Sequence, residues 1–243
     1  GMGRLGIWFE NFSECFDQIQ SMQLVNLTGI YTHFSDPIND EAFTLLQRER
    51  MQALLTSHPL PKNLKIHADN SASFSGLYKY PDFNAVRIGL LQYGVLPYEQ
   101  CDLGDLQTSP TLSFYTKVGV VKNLPKGTSI SYGRKYILKR DSKIAVLTAG
   151  YGDGIPIAYG NKGSVIIRDQ LCPIIGQITM DQIIVDVSKL ETIDAGDTVI
   201  LIGSSKSHTI SLETFSKESK TIPWEILCSI TKRVNRLYIN PRG

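Results

Sequence analysis

The chain changes texture once, close to residue 101, and that break limits what it can fold into. Before it, residues 25–34 (VNLTGIYTHF) read as a strand and Asp36-Pro37 as a break. Residues 39–55 read as a helix started by Asp40 and Glu41, with Ala42, Leu45, Leu46, Ala53 and Leu54 at helical spacing. Short strands follow at 64–68 and 85–91, with a polar Ser- and Gly-rich segment between them. Strand, helix, strand, helix, strand predicts parallel pairing with crossover helices. DLGDLQTSP then leads into short β-rich runs separated by turns, at residues 116–121, 144–147, 164–167, 174–187 and 198–202. One more helix is expected over 221–232, with Pro223 at its first position, Ile226, Leu227 and Ile230 on one face, and Lys232 with Arg233 in its last turn. The predicted organisation is an α/β domain over 1–105 and a mainly antiparallel β domain over 106–243.

Length sharpens this. At 243 residues the chain has nearly the size of a complete eight-unit (β/α) barrel of about 250. Its α/β part, however, holds only about three or four units, and a parallel sheet that small leaves faces and edges uncovered. The expectation is that something precedes Gly1. Lys and Arg total 25 against 23 Asp and Glu, a net +2 that gives no reason to expect a nucleic-acid or membrane-surface partner. No apolar run approaches the roughly 20 residues of a membrane span, and GMGRLGIWFENF lacks signal-peptide order. Cys15, Cys101, Cys172 and Cys228 form no CxxC pair, which predicts reduced, buried core thiols in a cytoplasmic protein, with no metal site.

Several residues could carry chemistry. His33, His67 and Arg87 each close a predicted strand, and the carboxyl ends of strands face the active site in barrels and open α/β sheets. The alternative is that each is a satisfied structural polar group. The segment from Arg87 to Leu90 could offer backbone N–H groups to an anion. In the β part, Tyr132 and Tyr151 sit beside glycines in SYGR and GYGDG, and Met180-Asp181 lies in GQITMDQIIVDV; packing and turns are the competing readings. Arg134, Lys135, Lys139, Arg140 and Lys143 are basic, but Asp141 interrupts them and a solvated loop face accounts for them. The chain has no P-loop, HExxH, GxSxG or dinucleotide fingerprint.

Taken in order, GMGRLGI, GIYTHFS, HADNSA, FNAVRIGLLQYG, ISYGRKY, AGYGDGIP, IGQITMDQ and IPWEILCSITKRVNR resemble the alanine racemase family of pyridoxal-phosphate (PLP) enzymes from residue 1 to about residue 236. The resemblance implies the later part of a PLP-binding (β/α)8 barrel followed by a mainly antiparallel β carboxyl-terminal domain. It further implies a cytoplasmic homodimer with a shared site, interconverting L- and D-alanine for peptidoglycan. By the same resemblance Tyr132 matches the catalytic tyrosine that removes or returns the α-proton. A phenol titrates near about 10, so it needs charge or hydrogen bonds beside it, for which His33 and Arg4 are suitable. Arg87 matches the arginine facing the PLP ring nitrogen, where a guanidinium donates without surrendering its proton. His67 matches its brace, and Ser71 with the backbone of Gly89 and Leu90 the phosphate cradle. Arg4 and Met180 match contacts to the substrate carboxylate, and Tyr151 and Asp181 the entrance and inner wall.

Two departures stand out. Trp224 occupies the position of a phosphate-binding tyrosine; its indole N–H donates but cannot accept, which puts phosphate affinity and amino-acid preference in question. The family's PLP lysine, also its opposite-face base, lies in a segment like KANAYGHG near the family's amino terminus. No such segment occurs in these residues. The expectation is therefore a chain corresponding to the carboxyl-terminal two-thirds of the family, inactive alone. The competing class is a non-catalytic dimerising or regulatory module, and the upstream codons would discriminate the two.

Overall fold

The computed structural model describes residues 1–74, 83–98, 101 and 103–239. It divides into two compact units, Gly1–Ser109 and Pro110–Gly243. Among the described residues no helix is long and apolar enough to cross a membrane.

In the first unit a 3-10 turn leads into α1 (Phe12–Ser21), followed by β1 (Gly29–Tyr31), α2 (Glu41–Ser57), β2 (Lys65–Asn70) and β3 (Ala85–Arg87). The three strands pair in parallel in the order β1-β2-β3, so α2 is a crossover helix of the β/α type. The first strand is shorter than its apolar run: Leu24 and Val25 are exposed, and His33 lies two residues past its end. His67 lies inside β2 rather than at its end, and only Arg87 closes its strand. A second crossover helix between β2 and β3 would fall largely on residues 75–82, outside the described residues. Sequence reading missed α1, whose Phe12 and Phe16, four apart, are buried with the His58 ring edge-on to both at 5.0 and 5.2 Å.

The helix α2 starts where Asp40 accepts the Phe43 N–H at 2.9 Å. Its buried stripe, however, is Thr44, Gln47, Arg48, Met51 and Leu55, whereas Ala42, Leu45, Leu46 and Ala53 are exposed. The reason is polar demand beneath it. Gln47 receives the Ser35 N–H at 3.2 Å and donates to the His33 carbonyl at 3.3 Å, satisfying backbone that leaves β1 with no strand partner. Arg48 makes a bidentate ion pair with Asp69 of β2, with the Arg48 guanidinium 4.4 Å over the Phe34 ring.

The register between β2 and β3 explains how Asp69 reaches a helix. His67 pairs with Ala85 and Asn70 with Arg87, so two residues of β2, Ala68 and Asp69, stand opposite one of β3, Val86. That extra residue is a β-bulge and reverses the alternation. His67 and Asn70, three apart, are thereby free to share one face while Asp69 turns to the α2 side.

The second unit is built on a seven-stranded antiparallel sheet. Its strands are β4 (Phe114–Leu124), β7 (Ser142–Leu147), β8 (Ser164–Ile167), β9 (Gln170–Pro173), β10 (Ile183–Asp186), β11 (Thr198–Ser204) and β12 (Thr209–Ile210), while β5 (Ser129–Ile130) and β6 (Tyr136–Ile137) make a separate hairpin. The order is β10-β7-β4-β11-β8-β9, with β12 added to β11. A single bridge from Ile174, the residue after β9, to Val185 of β10 nearly closes the sheet on itself. Alternate residues Ala145 and Leu147, Val165 and Ile167, Ile183 and Val185, and Val199 and Leu201 are fully buried, the period of two that a strand requires. On the other side of β7, Ile144 packs with Ile130, Leu138 and Ile175, which seats the β5–β6 hairpin on the sheet. The run 174–187 is not one strand: residues 176–182 form a connection, so Met180 is on a loop.

Two helices end the unit. α3 (Leu212–Glu218), unforeseen in the sequence, is capped by Ser211 and packs Phe215 on the buried Tyr159 ring at 4.1 Å. α4 (Pro223–Ser229) has Pro223 at its first position as expected, but it stops at Ser229, so Lys232 and Arg233 lie beyond it and do not serve its dipole. The thiols are not uniformly buried. Cys172 is buried, and desolvation with the Asp186 carboxylate pushes it up to about 11, whereas Cys228 is exposed on α4.

Removing one partner of the buried ion pair strands a charge. Asp69→Ala is expected to lower unfolding free energy by about 3–5 kcal/mol. An Arg48→Met, Asp69→Leu double variant should lose clearly less. Urea unfolding of the two variants side by side measures this, and equal losses would contradict a buried-charge origin.

Candidate active site

The three parallel strands bring His33, His67 and Arg87 together. Tyr31 of β1 pairs with His67 of β2, so both side chains rise on one face, and His33, two residues on, follows the same alternation. From β3, Arg87 reaches back across the sheet. Its Nε donates to His33 Nδ1 at 3.3 Å and its Nη1 lies 3.2 Å from His67 Nδ1. Guanidinium has no acceptor, so both imidazoles must accept through Nδ1, which places their protons on Nε2. The Asn70 side chain does not take that Nε2 proton. Its Oδ1 accepts the Ala72 and Ser73 N–H groups at 3.0 and 3.1 Å, which fixes its amide nitrogen toward the Phe34 carbonyl at 3.2 Å. The 3.5 Å approach of that nitrogen to His33 Nε2 is therefore donor to donor, and the His33 N–H is left for another acceptor.

Both histidines are held below the ordinary imidazole value. For His33 burial is the first cause, then the charges of Arg87 and Arg4; for His67 burial again leads, followed by Arg87 and Lys65. Arg4 is itself exposed.

A second group lies where β3 ends. The buried Ser71 Oγ accepts the N–H of Gly89 at 3.0 Å and of Leu91 at 3.4 Å, around the 3-10 turn Leu90–Tyr93. Two donated bonds fill its acceptor sites, so the hydroxyl proton is the part it can offer outward. A side-chain carbon built on Gly89 would meet nothing within 4 Å, so there is open room above that backbone. The Leu90 side chain is buried, and only its backbone could serve a ligand.

The remaining predicted residues belong to the second unit. Tyr132, 70% exposed, sits in the β5–β6 turn, where Ser131, Gly133 and Arg134 have positive φ. That turn is anchored by Ser131 Oγ donating to the Gln177 carbonyl at 2.6 Å and by the close approach of Gly176, also at positive φ, where a Cβ would fall 2.8 Å from Ile130. The GYGDG loop with Tyr151 docks on the Met180 loop through Tyr151 N–H to the Thr179 carbonyl and Gly152 N–H to the Met180 carbonyl, both 2.9 Å. Arg233 ties the two loops, donating to Asp181 at 2.6 Å and pairing with Asp153 at 3.3 Å. It passes so close that a Cβ on Gly152 would meet Nη1 at 2.4 Å. Asp181 thus serves an ion pair rather than a turn. Trp224, the second residue of α4, is partly exposed.

Sequence reading missed Tyr31, Gln47, Asn70 and Arg233. The Tyr-x-His spacing in YTHF, two apart on a strand, could have flagged Tyr31; no sequence signal marks the other three.

Profiles described as "Alanine racemase, N-terminal domain" and "Alanine racemase, C-terminal domain" match residues 1–97 and 111–238. The fold class is accordingly α/β followed by all-β, in the arrangement of a barrel-type amino-terminal and a β carboxyl-terminal domain. The chain belongs to the alanine racemase family. It is similar to the alanine racemases of Halothermothrix orenii, at 34% identity over 100% of this chain and 64% of that protein, and of Methanococcus maripaludis, at 36% over 99% and 65%. Among solved structures it resembles alanine racemase from Bacillus anthracis with bound L-Ala-P, with TM-score 0.84, 29% identity and coverage of 100% and 63%. It also resembles that from Bartonella henselae with covalently bound pyridoxal phosphate, with TM-score 0.83, 28% identity and coverage of 98% and 64%. The chain spans somewhat under two-thirds of the length of these relatives.

The lowered histidines predict a pH dependence with a definite sign. Below about 6.5 the unfolded chain takes up protons that folded His33 and His67 refuse, so stability falls with pH until their lowered values are passed. Urea midpoints at pH 8, 6.5 and 5 are expected to drop across this range in the native chain. The drop should be smaller in a His33→Asn, His67→Asn variant; equal slopes would refute the assignment.

Proposed function

We propose that this chain carries the PLP-ring and phosphate contacts and the substrate-facing β domain of an alanine racemase that works as a cytoplasmic homodimer with a site shared between subunits. The product, D-alanine, would supply peptidoglycan. The observation that carries this reading is Arg87, a permanent donor held between two neutral imidazoles on one face of a parallel sheet.

The residues present fit PLP. Ser71, with the backbone at Gly89 and Leu90, would hold its phosphate, where the space above Gly89 is open and the Ser71 proton is uncommitted while its oxygen keeps the Gly89 N–H. Trp224 would add an indole N–H. Arg87 would face the ring nitrogen, with His67 as its brace. When bound, PLP draws electron density from the α-carbon of an amino acid, which acidifies the proton there. Because guanidinium keeps its proton, Arg87 donates a hydrogen bond and moderates that withdrawal. Such moderation favours returning a proton to the same carbon over side reactions.

Tyr132 would remove or return the α-proton on one face, its phenol aided by His33 and the positive charge of Arg4. Arg4 and the Met180 backbone N–H would orient the substrate carboxylate, and Tyr151 and Asp181 would wall the approach. Arg233 sets these walls by holding Asp181 and the GYGDG loop to each other. Trp224, bulkier than tyrosine, would narrow the pocket and bias the choice among small amino acids. The opposite-face base and PLP-holding lysine of the family have no counterpart in these 243 residues, so this polypeptide by itself is proposed not to racemise.

Two measurements test the reading. Fluorescence titration should show PLP binding that weakens at least about tenfold in Arg87→Ala, as loss of a charge-assisted hydrogen bond requires. Borohydride reduction with PLP followed by peptide mass mapping should yield no stoichiometric pyridoxyl-lysine at one site, and L-alanine in heavy water should keep its configuration. Failure to bind PLP overturns the cofactor assignment; a single labelled lysine with racemisation overturns the proposed inactivity.

A further inference from the structure

The Tyr31 ring touches both residues on which the proposed cofactor contact depends. It stacks on His67 with centroids 5.2 Å apart and planes 5° apart, and the Arg87 guanidinium carbon lies 4.3 Å from its centroid. His67 and Arg87 are themselves hydrogen-bonded, so the three side chains, one from each strand, form a closed triangle. The Tyr31 side chain is half-exposed, and its hydroxyl has no hydrogen-bond partner among the described residues. A half-exposed tyrosine whose hydroxyl is idle, but whose ring face meets a cation, is placed for its π-system.

We propose that Tyr31 is a positioning residue for Arg87: its ring, not its hydroxyl, gives the guanidinium a flat seat that keeps Nε and Nη1 aimed at His33 and His67. This rests on the reading of Arg87 as the residue that faces the PLP ring nitrogen. The two imidazoles constrain the guanidinium only along its N–H directions, within its plane. A ring face against the guanidinium resists displacement out of that plane, which two in-plane bonds do little to prevent. Without the ring, Arg87 would be free to swing toward solvent. Its charge would then act less on His33 and His67, leaving Arg4 and Lys65 as the other cations that influence them.

Nuclear magnetic resonance with labelled histidine reads this directly, because the chain has only His33, His58, His67 and His208. In native protein, nuclear Overhauser contacts between the Tyr31 ring and the Arg87 side chain are expected, and their absence overturns the proposal without any variant. Tyr31→Phe and Tyr31→Trp should leave the titrations of His33 and His67 unchanged. Tyr31→Leu should move both toward about 6.5 while His58 and His208 stay fixed. PLP affinity should follow the same split, falling about two- to fivefold in the leucine variant only. Unchanged titrations in Tyr31→Leu, or a Tyr31→Phe effect as large as that of leucine, would reject the ring as the seat. The titrations need no PLP, so a chain that fails to bind the cofactor removes the reading above and still decides what Tyr31 does.

Discussion

Between their last two paired positions β2 holds one residue more than β3, and much of the first unit follows from that bulge. A regular β2 would send His67 and Asp69 to one face and Ala68 and Asn70 to the other. The additional residue lets His67 and Asn70 turn toward Arg87 and His33, while Asp69 meets Arg48 beneath α2. The same strand therefore supplies a hydrogen-bonding pair on one side and a buried carboxylate on the other. The buried carboxylate in turn dictates the polar stripe of α2. Gln47 on that stripe holds the backbone at His33 and Ser35, so the position of a site histidine is set in part from a helix.

In the second unit the corresponding constraint is close backbone approach. Gly150 lies where a Cβ would stand 2.2 Å from the Thr179 carbonyl, and Gly154 where it would stand 2.3 Å from the Ser229 carbonyl. Three chain segments meet there: the GYGDG loop, the Met180 loop, and the end of α4 with the strap after it, where Ser229 Oγ donates to the Gly154 carbonyl and Thr231 Oγ1 to the Gly152 carbonyl, each at 2.9 Å. The glycines make that proximity sterically allowed, and Arg233 closes it electrostatically across Gly152. Early termination of α4 serves the same end. Had the helix continued through Arg233, its residues could not have run along the loop as a strap.

Periodicity exposed the architecture where burial follows hydrophobicity. The longer strands of the second unit were legible because β-rich aliphatic runs there are separated by turn residues, and the parallel strands of the first because short apolar runs flank a capped helix. The buried face of α2 was not, because its occupants are Gln47 and Arg48, placed by partners far away in sequence. The β2 bulge was hidden for a related reason: HADN contains no glycine or other local mark, and an extra residue is defined only against a neighbouring strand. Predicted strand ends, and then the family motifs, singled out Arg87, His67 and His33, but the direction of their protons and the ring beneath Arg87 are properties of geometry. Arg233 was misread as a helix-dipole cation because helix length, not residue type, decided its role.

The choice of arginine at position 87 follows from the company it keeps. Its planar fork spans from β3 to an imidazole on β2 and another just past β1, while its guanidinium carbon lies 4.3 Å over an aromatic centroid. A lysine ammonium is a single point of charge that would serve one imidazole or the ring, and when partly buried it sheds its proton far more readily. Protonating either histidine would place a second cation against the first and convert an acceptor into a donor, breaking the fork. The pairing is thus stable only in one ionisation state, with cationic arginine and neutral imidazoles, and burial favours the neutral imidazoles. A group facing this arginine would consequently meet a donor of fixed charge and fixed direction over the pH range in which both imidazoles stay neutral. Constancy of that kind suits a contact meant to tune a cofactor ring rather than to exchange protons with it.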